Sequence, residues 1–240
     1  MRKIYKTKVN DTYFDVIDTE KKAYILGFLI ADGCIIYEQK KSGYISKSIR
    51  FSNTVDDSEA ISCIRDEICP QRVLKEYNTT SNRRKKAQFS FKWVSNYMVN
   101  TLETKYNIKR RKTFDKDFVL PENAIPEHLF RHFLRGFFDG DGHIDYTGIQ
   151  FVFTSELFMN QILRWFKNFH YRILHIDGKT TDYWTVLIYL DLKRKACIRK
   201  FLYENATVFL SRKKLIFNTE ISYNSRNGII DIVEHRAEEI

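Results

Sequence analysis

Ile25-Leu26-Gly27-Phe28-Leu29-Ile30-Ala31-Asp32-Gly33 is echoed 109 residues later by Leu134-Arg135-Gly136-Phe137-Phe138-Asp139-Gly140-Asp141-Gly142. The two nonapeptides share glycine at the third place, an aromatic ring at the fourth, an apolar residue at the fifth, a small residue at the seventh, and then Asp-Gly. Gly27 and Ala31, like Gly136 and Gly140, stand four apart and so share one helix face. A glycine inside a helix costs ~1 kcal/mol relative to alanine. A repeated small stripe therefore needs a compensating gain, and two helices whose backbones approach along matching stripes supply one. The Asp-Gly ending is unfavourable in itself, because a carboxylate there meets the negative end of the helix dipole. Asp32 and Asp141 are thus poorly placed for stability and well placed to bind a cation. If the two helices pack side by side in one direction, both carboxylates meet at one end of their interface. Paired carboxylates with water are a hard-cation site suited to Mg²⁺. One copy would signify helix packing and a helix stop; two copies at one spacing argue for more.

Reading outward, the chain states one order twice. The first half predicts a helix over 20–32, strands near 34–38 and 44–54, a helix over 56–69, strands near 72–79 and 87–93, and a helix over 94–106. The second predicts a helix over 127–140, strands near 143–146 and 148–154, a helix over 155–169, strands near 171–176 and 183–189, and a helix over 191–204. Helices and hairpins in this alternation indicate an α+β fold with antiparallel sheets. Pro121 and Pro126 make 115–126 the best linker, giving half-domains 1–120 and 121–217 and a C-terminal tail 218–240. The tail is acidic, and its sequence does not decide between a covering helix and a loose end.

The strands alternate. Ser48, Arg50 and Ser52 share one face, as do Gln88, Ser90 and Lys92, opposite Ile49, Phe51, Phe89, Phe91 and Trp93. Alternation gives one buried and one wet face, and this wet face carries Arg, Lys, Gln, Ser and Tyr with almost no acid. Such side chains suit base edges and phosphates; an ordinary solvated face is the plainer reading.

The 240 residues carry 40 Lys+Arg against 30 Asp+Glu, a formal charge of +10, with 43% hydrophobic residues. That is globular composition. A basic surface hints at nucleic acid without proving it. Residues 1–120 hold 24 basic and 15 acidic side chains, and residues 121–240 hold 16 and 15. If the excess grips a phosphate backbone, the first half makes more of the contacts. No run approaches the ~18 apolar residues of a membrane span. Cys34, Cys63, Cys69 and Cys197 form no CxxC pair and no zinc spacing, so they read as reduced thiols. The N-terminal residues lack a secretory apolar stretch, and the expected location is cytoplasm or an organellar matrix, not outside the cell. His143 follows Asp141-Gly142 near the paired acids and reads as structural or DNA-contacting; His128, His132, His170, His175 and His235 show no ligand spacing.

The paired nonapeptides and the doubled αββαββα order resemble the LAGLIDADG homing endonucleases, over nearly the whole chain. The resemblance implies a monomer with two motifs: two pseudo-twofold-related repeats packed through the motif helices, with sheets that lie in the DNA major groove. It implies that Asp32 and Asp141, at the eighth place of each motif, bind two or more Mg²⁺ ions, with Mn²⁺ a substitute and Ca²⁺ non-catalytic. At the sixth place, often acidic in the family, stand Ile30 and Asp139, a departure expected to bear on helix capping. Family members carry a lysine after the last helix of each half. Register places Lys112 and Lys213 there, with Lys214 a competitor, as further catalytic candidates able to orient water or stabilise charge on phosphate; phosphate contact is the alternative.

The function implied is a site-specific double-strand break at a long, asymmetric duplex target in intron homing. Candidate DNA contacts are Tyr44, Ser48, Arg50, Arg72, Lys75, Gln88, Ser90 and Lys92. The loop Arg83-Arg84-Lys85-Lys86 would grip phosphates. Gln150, Arg172, Lys179 and Thr185 are the weaker second-half set. Two rivals stand: an RNA-binding maturase acting on intron RNA, and a non-catalytic DNA-binding regulator of the same fold.

Overall fold

The computed structural model describes residues 8–78, 87–144, 148–218, 220–224 and 229–233. The first repeat comprises α1 (Glu20–Asp32), β1 (Cys34–Gln39), β2 (Ile45–Thr54), α2 (Ser58–Ile68), β3 (Lys75–Asn78), β4 (Ala87–Val94) and α3 (Asn96–Tyr106). The second comprises α4 (Glu127–Asp141), β5 (His143–Ile144), β6 (Gly148–Phe153), α5 (Glu156–Leu163), β7 (Tyr171–Ile176), β8 (Tyr183–Tyr189) and α6 (Leu192–Tyr203). The strand orders, β1-β2-β4-β3 and β5-β6-β8-β7, are identical, and every pairing is antiparallel. The fold is α+β, with two αββαββα repeats. Among the described residues no helix is long and apolar enough to cross a membrane.

The small stripes place α1 against α4. A Cβ on Gly27 would stand 2.0 Å from the Phe133 carbonyl oxygen, and one on Gly136 would stand 1.9 Å from that of Tyr24. A Cβ on Gly140 would stand 2.3 Å from the Ala31 Cβ. Contacts advance together along both helices, so the pair is parallel, and only glycine permits backbones this close. Gly33 and Gly142 end the helices in extended backbone, φ −73° and −75°. Close approach to Leu29 and Phe138 requires glycine at these two positions, not a left-handed turn.

Each motif helix then covers its own sheet. Phe28 meets Phe51 at 5.9 Å, and its counterpart Phe137 meets Phe151 at 6.1 Å. Ile49, Phe51, Phe91 and Trp93 fill one core, and Ile149, Phe151, Val186 and Ile188 fill the other.

Differences from expectation are local. The helix expected over 155–169 stops at Leu163 and tightens into a 3-10 turn over Arg164–Phe166, where Trp165 stacks on Phe130 at 4.4 Å. Lys213 stands on an unforeseen helix α7 (Ser211–Asn218), whereas Lys112 opens a 3-10 turn, Lys112–Phe114. The tail forms neither a helix nor a loose end where it is described: β9 (Glu220–Asn224) pairs antiparallel with β10 (Ile229–Val233).

Candidate metal centre and nucleic-acid interface

Parallel packing through glycine delivers the C-termini of α1 and α4 to one place. Asp32 Oδ2 would lie 3.4 Å from a Cβ built on Gly140, the residue before Asp141. The environments of the two acids differ. Asn53 of β2 donates from Nδ2 to Asp32 Oδ2 at 2.7 Å, and burial raises the Asp32 pKa against that bond. In the second sheet the equivalent of Asn53 is Phe153, which offers no donor. Asp141 is exposed at the mouth, yet surrounding protein mass first, and the Asp32 charge second, push its pKa up to about 6. Because water reaches Asp141, the repulsion by Asp32 weighs more than the desolvation. Beside it opens a cleft of about 410 Å³, lined among others by Ala31, Lys112, Thr113, Phe137 and Thr154.

The two candidate lysines answer the helix ends. Lys112 Nζ donates to the Ala31 carbonyl at 2.7 Å. Lys213, 3% exposed, donates to the carbonyls of Phe138 and Gly142, the latter at 2.6 Å. Each cation satisfies orphan carbonyls at a helix C-terminus and faces the negative end of its dipole. Burial lowers both pKa values, that of Lys213 to about 8, while Asp32 and Asp141 oppose the shift at Lys112 and Asp139 opposes it at Lys213. Lys214 turns away, over the Phe209 ring at 4.0 Å.

Asp139 does not cap its helix. It is fully buried and accepts from Tyr24 Oη at 2.9 Å, Tyr203 Oη at 2.7 Å and the Leu210 amide at 2.8 Å. This tethers α1, α6 and the approach to α7. Arg135 and Glu20 (2.7 Å) and Arg212 and Asp57 (2.7 Å) add cross-repeat ion pairs. Asn53 is the site residue that sequence reasoning missed. Its signal was available: an amide in the same alternation phase as Ile49 and Phe51, the phase that faces the motif helix. Its Oδ1 is buried and has no hydrogen-bond partner.

Two carboxylates and an orphaned amide oxygen form an oxygen donor set, which fits a hard divalent cation. Among the described residues the one cluster of three potential ligand side chains lies elsewhere, on the β7–β8 turn: His175, Asp177 and Asp182, with ligand atoms within 4.8 Å of one another. The fold thus brings His175 to two acids. Lys116 already pairs with Asp182 at 2.9 Å.

Arg50, Arg72, Lys75, Ser90 and Lys92 line one depression on the first sheet. Gln88 is half-buried on this face, and Tyr44 is exposed in the preceding turn. Two expectations are corrected. Ser48 is 1% exposed, because its short side chain sits between its longer cross-strand neighbours Ile36 and Val94. Thr185 is buried in the same way between Val152 and Leu174. The face also carries an acid: Glu38 holds Lys92 and Lys40, which pull its pKa down to about 2. Lys92 is therefore engaged within the protein. In the second half Arg172 and Lys179 are exposed and Gln150 is half-buried. Arg83, Arg84, Lys85 and Lys86 lie outside the described residues.

Residues 130–204 match the family model of a LAGLIDADG-like domain. The fold is LAGLIDADG. Among solved structures, the I-SmaMI LAGLIDADG homing endonuclease bound to cleaved DNA aligns with TM-score 0.51 at 11% identity, over 85% of this chain and 88% of its own. The I-LtrWI LAGLIDADG homing endonuclease bound to target DNA aligns with TM-score 0.49 at 14% identity, over 87% and 90%. I-DmoI in complex with DNA and Mn aligns with TM-score 0.46 at 15% identity, over 77% and 97%. No curated protein matches in sequence. The family model reaches α4 from Phe130 onward, and α1 is packed against that helix through the matching glycines.

Proposed function

We propose that this protein is a site-specific DNA endonuclease that makes a metal-dependent double-strand break at a long, asymmetric duplex target. The observation that carries the reading is the convergence of Asp32 and Asp141 at one end of a glycine-packed parallel helix pair, flanked by two sheets of identical strand order. The shared fold with I-SmaMI, a homing endonuclease seen on cleaved DNA, supports it. Residues 1–120 and 121–217 act as half-domains of a single monomer, each sheet addressing one half-site, with 218–240 as an appended tail. Intron homing is the role that suits such an activity.

Asp32 and Asp141 would hold divalent ions, Mg²⁺ in the working enzyme, beside the buried, unpartnered Asn53 amide oxygen. Bound there, such ions supply water activation and leaving-oxygen stabilisation in phosphodiester hydrolysis. The chain's own residues do the rest. Asn53 fixes the Asp32 carboxylate by its 2.7 Å bond. Lys112 and Lys213 hold the helix ends that carry the acids and add positive potential near the scissile phosphate. Arg50, Arg72 and Lys75 bind and orient the first half-site.

The test incubates the wild type and Asp32→Asn with a randomised duplex library, in Mg²⁺ and in Ca²⁺. The expected result is cutting by the wild type in Mg²⁺, binding without cutting in Ca²⁺, and binding without cutting by Asp32→Asn. Binding by the wild type with no cutting in Mg²⁺ would leave a DNA-binding regulator. Retention of intron RNA in place of duplex would leave a maturase.

A further inference from the structure

The two sheets present unlike chemistry to whatever lies on them. Strand register allows the comparison position by position, once Phe51 is matched to Phe151. Ser52 then corresponds to Val152 and Arg50 to Gln150. Across the sheet, Lys92 corresponds to Leu187 and Lys75 to Leu174. Three of the four polar positions have become aliphatic. Val152 is 36% and Leu174 38% exposed, flanking the buried Thr185. The polar side chains His143, Gln150 and Arg172 share one row across the four strands with the aliphatic Leu187. The strands place no acid on this outer face.

We propose that the second sheet reads its half-site largely through thymine methyl groups, with Val152, Leu174 and Leu187 as the contacting side chains, while the first sheet reads by hydrogen bonds. This rests on the endonuclease reading above. In the major groove the thymine methyl is the one apolar base-edge feature. Aliphatic side chains on a strand face can gain from it and from nothing else there. Nucleic acid is favoured over a protein partner on two grounds. The patch continues the face that the first sheet's basic depression occupies in the other repeat. The charged side chain within it is Arg172, and among the described residues no strand of this sheet carries an acid beside it. A half-site bound in this way specifies T·A steps beside the row of Gln150 and Arg172 and carries less information than the first. The two halves then differ in kind, not merely in charge.

The experiment uses the full chain and the duplex that it selects from a random library. Deoxyuridine replaces thymidine in one half-site at a time, which removes the methyl group and leaves every hydrogen-bonding group. Burying one methyl corresponds to about threefold to fivefold in affinity. The expected result is a loss of that size per contacted thymine in one half-site and less than twofold in the other. The sensitivity should disappear in Val152→Ser/Leu174→Ser and persist in Arg50→Ala. Equal or absent effects in both half-sites, from a protein that binds and cuts, would overturn the proposal and leave the endonuclease reading intact. Failure to bind any duplex would sink that reading instead. The wild-type comparison needs no variant, so a misfolded double mutant does not decide the matter. A DNA-free dimer that Val152→Ser dissociates would assign the patch to self-association and also overturn the proposal.

Discussion

Replacing Gly136 by alanine sets two effects against each other. In a solvent-exposed helix the change would stabilise by about 1 kcal/mol. Here the new Cβ would stand 1.9 Å from the Tyr24 carbonyl oxygen, where a relaxed C···O contact needs about 3.3 Å. The helices must therefore part by roughly 1.4 Å along their closest line. The obstacle is backbone, which no rotamer change relieves. Overpacking in a tight core costs about 1–3 kcal/mol; at the upper end, and offset by the propensity gain, the net loss is about 2 kcal/mol. For a chain of this size that lowers Tm by about 4–8 °C. The same parting moves Asp141 away from Asp32, and a displacement of ~1 Å costs on the order of 100-fold in rate. The assays are thermal unfolding and single-turnover cleavage at saturating DNA. Gly43→Ala is the control. That position has φ +81° and nothing within 4 Å, so alanine costs about 1 kcal/mol of backbone strain and leaves the saturated cleavage rate unchanged. A Gly136→Ala protein with unchanged or raised Tm would refute the packing argument.

Lys213→Met keeps the aliphatic stem and removes the donor to the Phe138 and Gly142 carbonyls. Leaving those carbonyls unsatisfied should cost about 2–3 kcal/mol, measured by denaturant unfolding. Tyr203→Phe deletes one of the three bonds to buried Asp139, and bonds to charged groups are worth about 1.5–3 kcal/mol; a loss below 0.5 kcal/mol would mean that Asp139 folds protonated and is weakly held. His132 is buried against Arg135, and burial first, then the guanidinium, lowers its pKa from 6.5 to about 4. The unfolded chain therefore takes up a proton below pH 6.5 that the folded chain refuses until about pH 4. This contribution is absent above pH 6.5 and removes about 3 kcal/mol by pH 4. His132→Gln should flatten the pH dependence of stability in that window, and an unchanged profile would contradict the assignment.

Much of the fold was legible because it depends on periodicity and on repetition. Alternation in Ile49-Arg50-Phe51-Ser52 fixed which face of β2 is buried, and the repeated Asp-Gly marked the end of α1 at Asp32 and that of α4 to within one residue. What escaped depends on tertiary neighbours. Nothing near Asp139 in sequence announces that Tyr24 and Tyr203, 115 and 64 residues away, converge on it. Alternation assigned Ser48 and Thr185 to the correct faces, but exposure within a face depends on the length of the cross-strand neighbours. Helix α7 was missed because Lys213 was placed by register with Lys112, which stands in a 3-10 turn and not in a helix. Its tertiary anchors are Lys213 on the Phe138 and Gly142 carbonyls and Phe217 against the Phe138 ring.

The acid pair poses a stability problem that its neighbours resolve without removing its affinity for cations. Asp32 and Asp141 bring two negative charges to helix ends that add about half a negative charge each. Lys112 and Lys213 return two positive charges, yet neither bonds a carboxylate: both donate to main-chain carbonyls at the ends of the same helices. The cluster therefore stays close to one unit negative, with both carboxylates uncommitted to a lysine and Asp32 held by a neutral amide. A direct Lys–Asp ion pair at either position would stabilise the empty protein more, and a cation would then have to displace it. Spending the lysines on the dipole instead keeps the parallel helices together while leaving the carboxylate oxygens available. It follows that Lys213→Met should weaken the folded state more than it weakens divalent-ion affinity. Ca²⁺ titration followed by the Tm increment separates the two: an increment close to that of the wild type on a lowered baseline is expected, and a vanished increment would mean that Lys213 shapes the ion site directly.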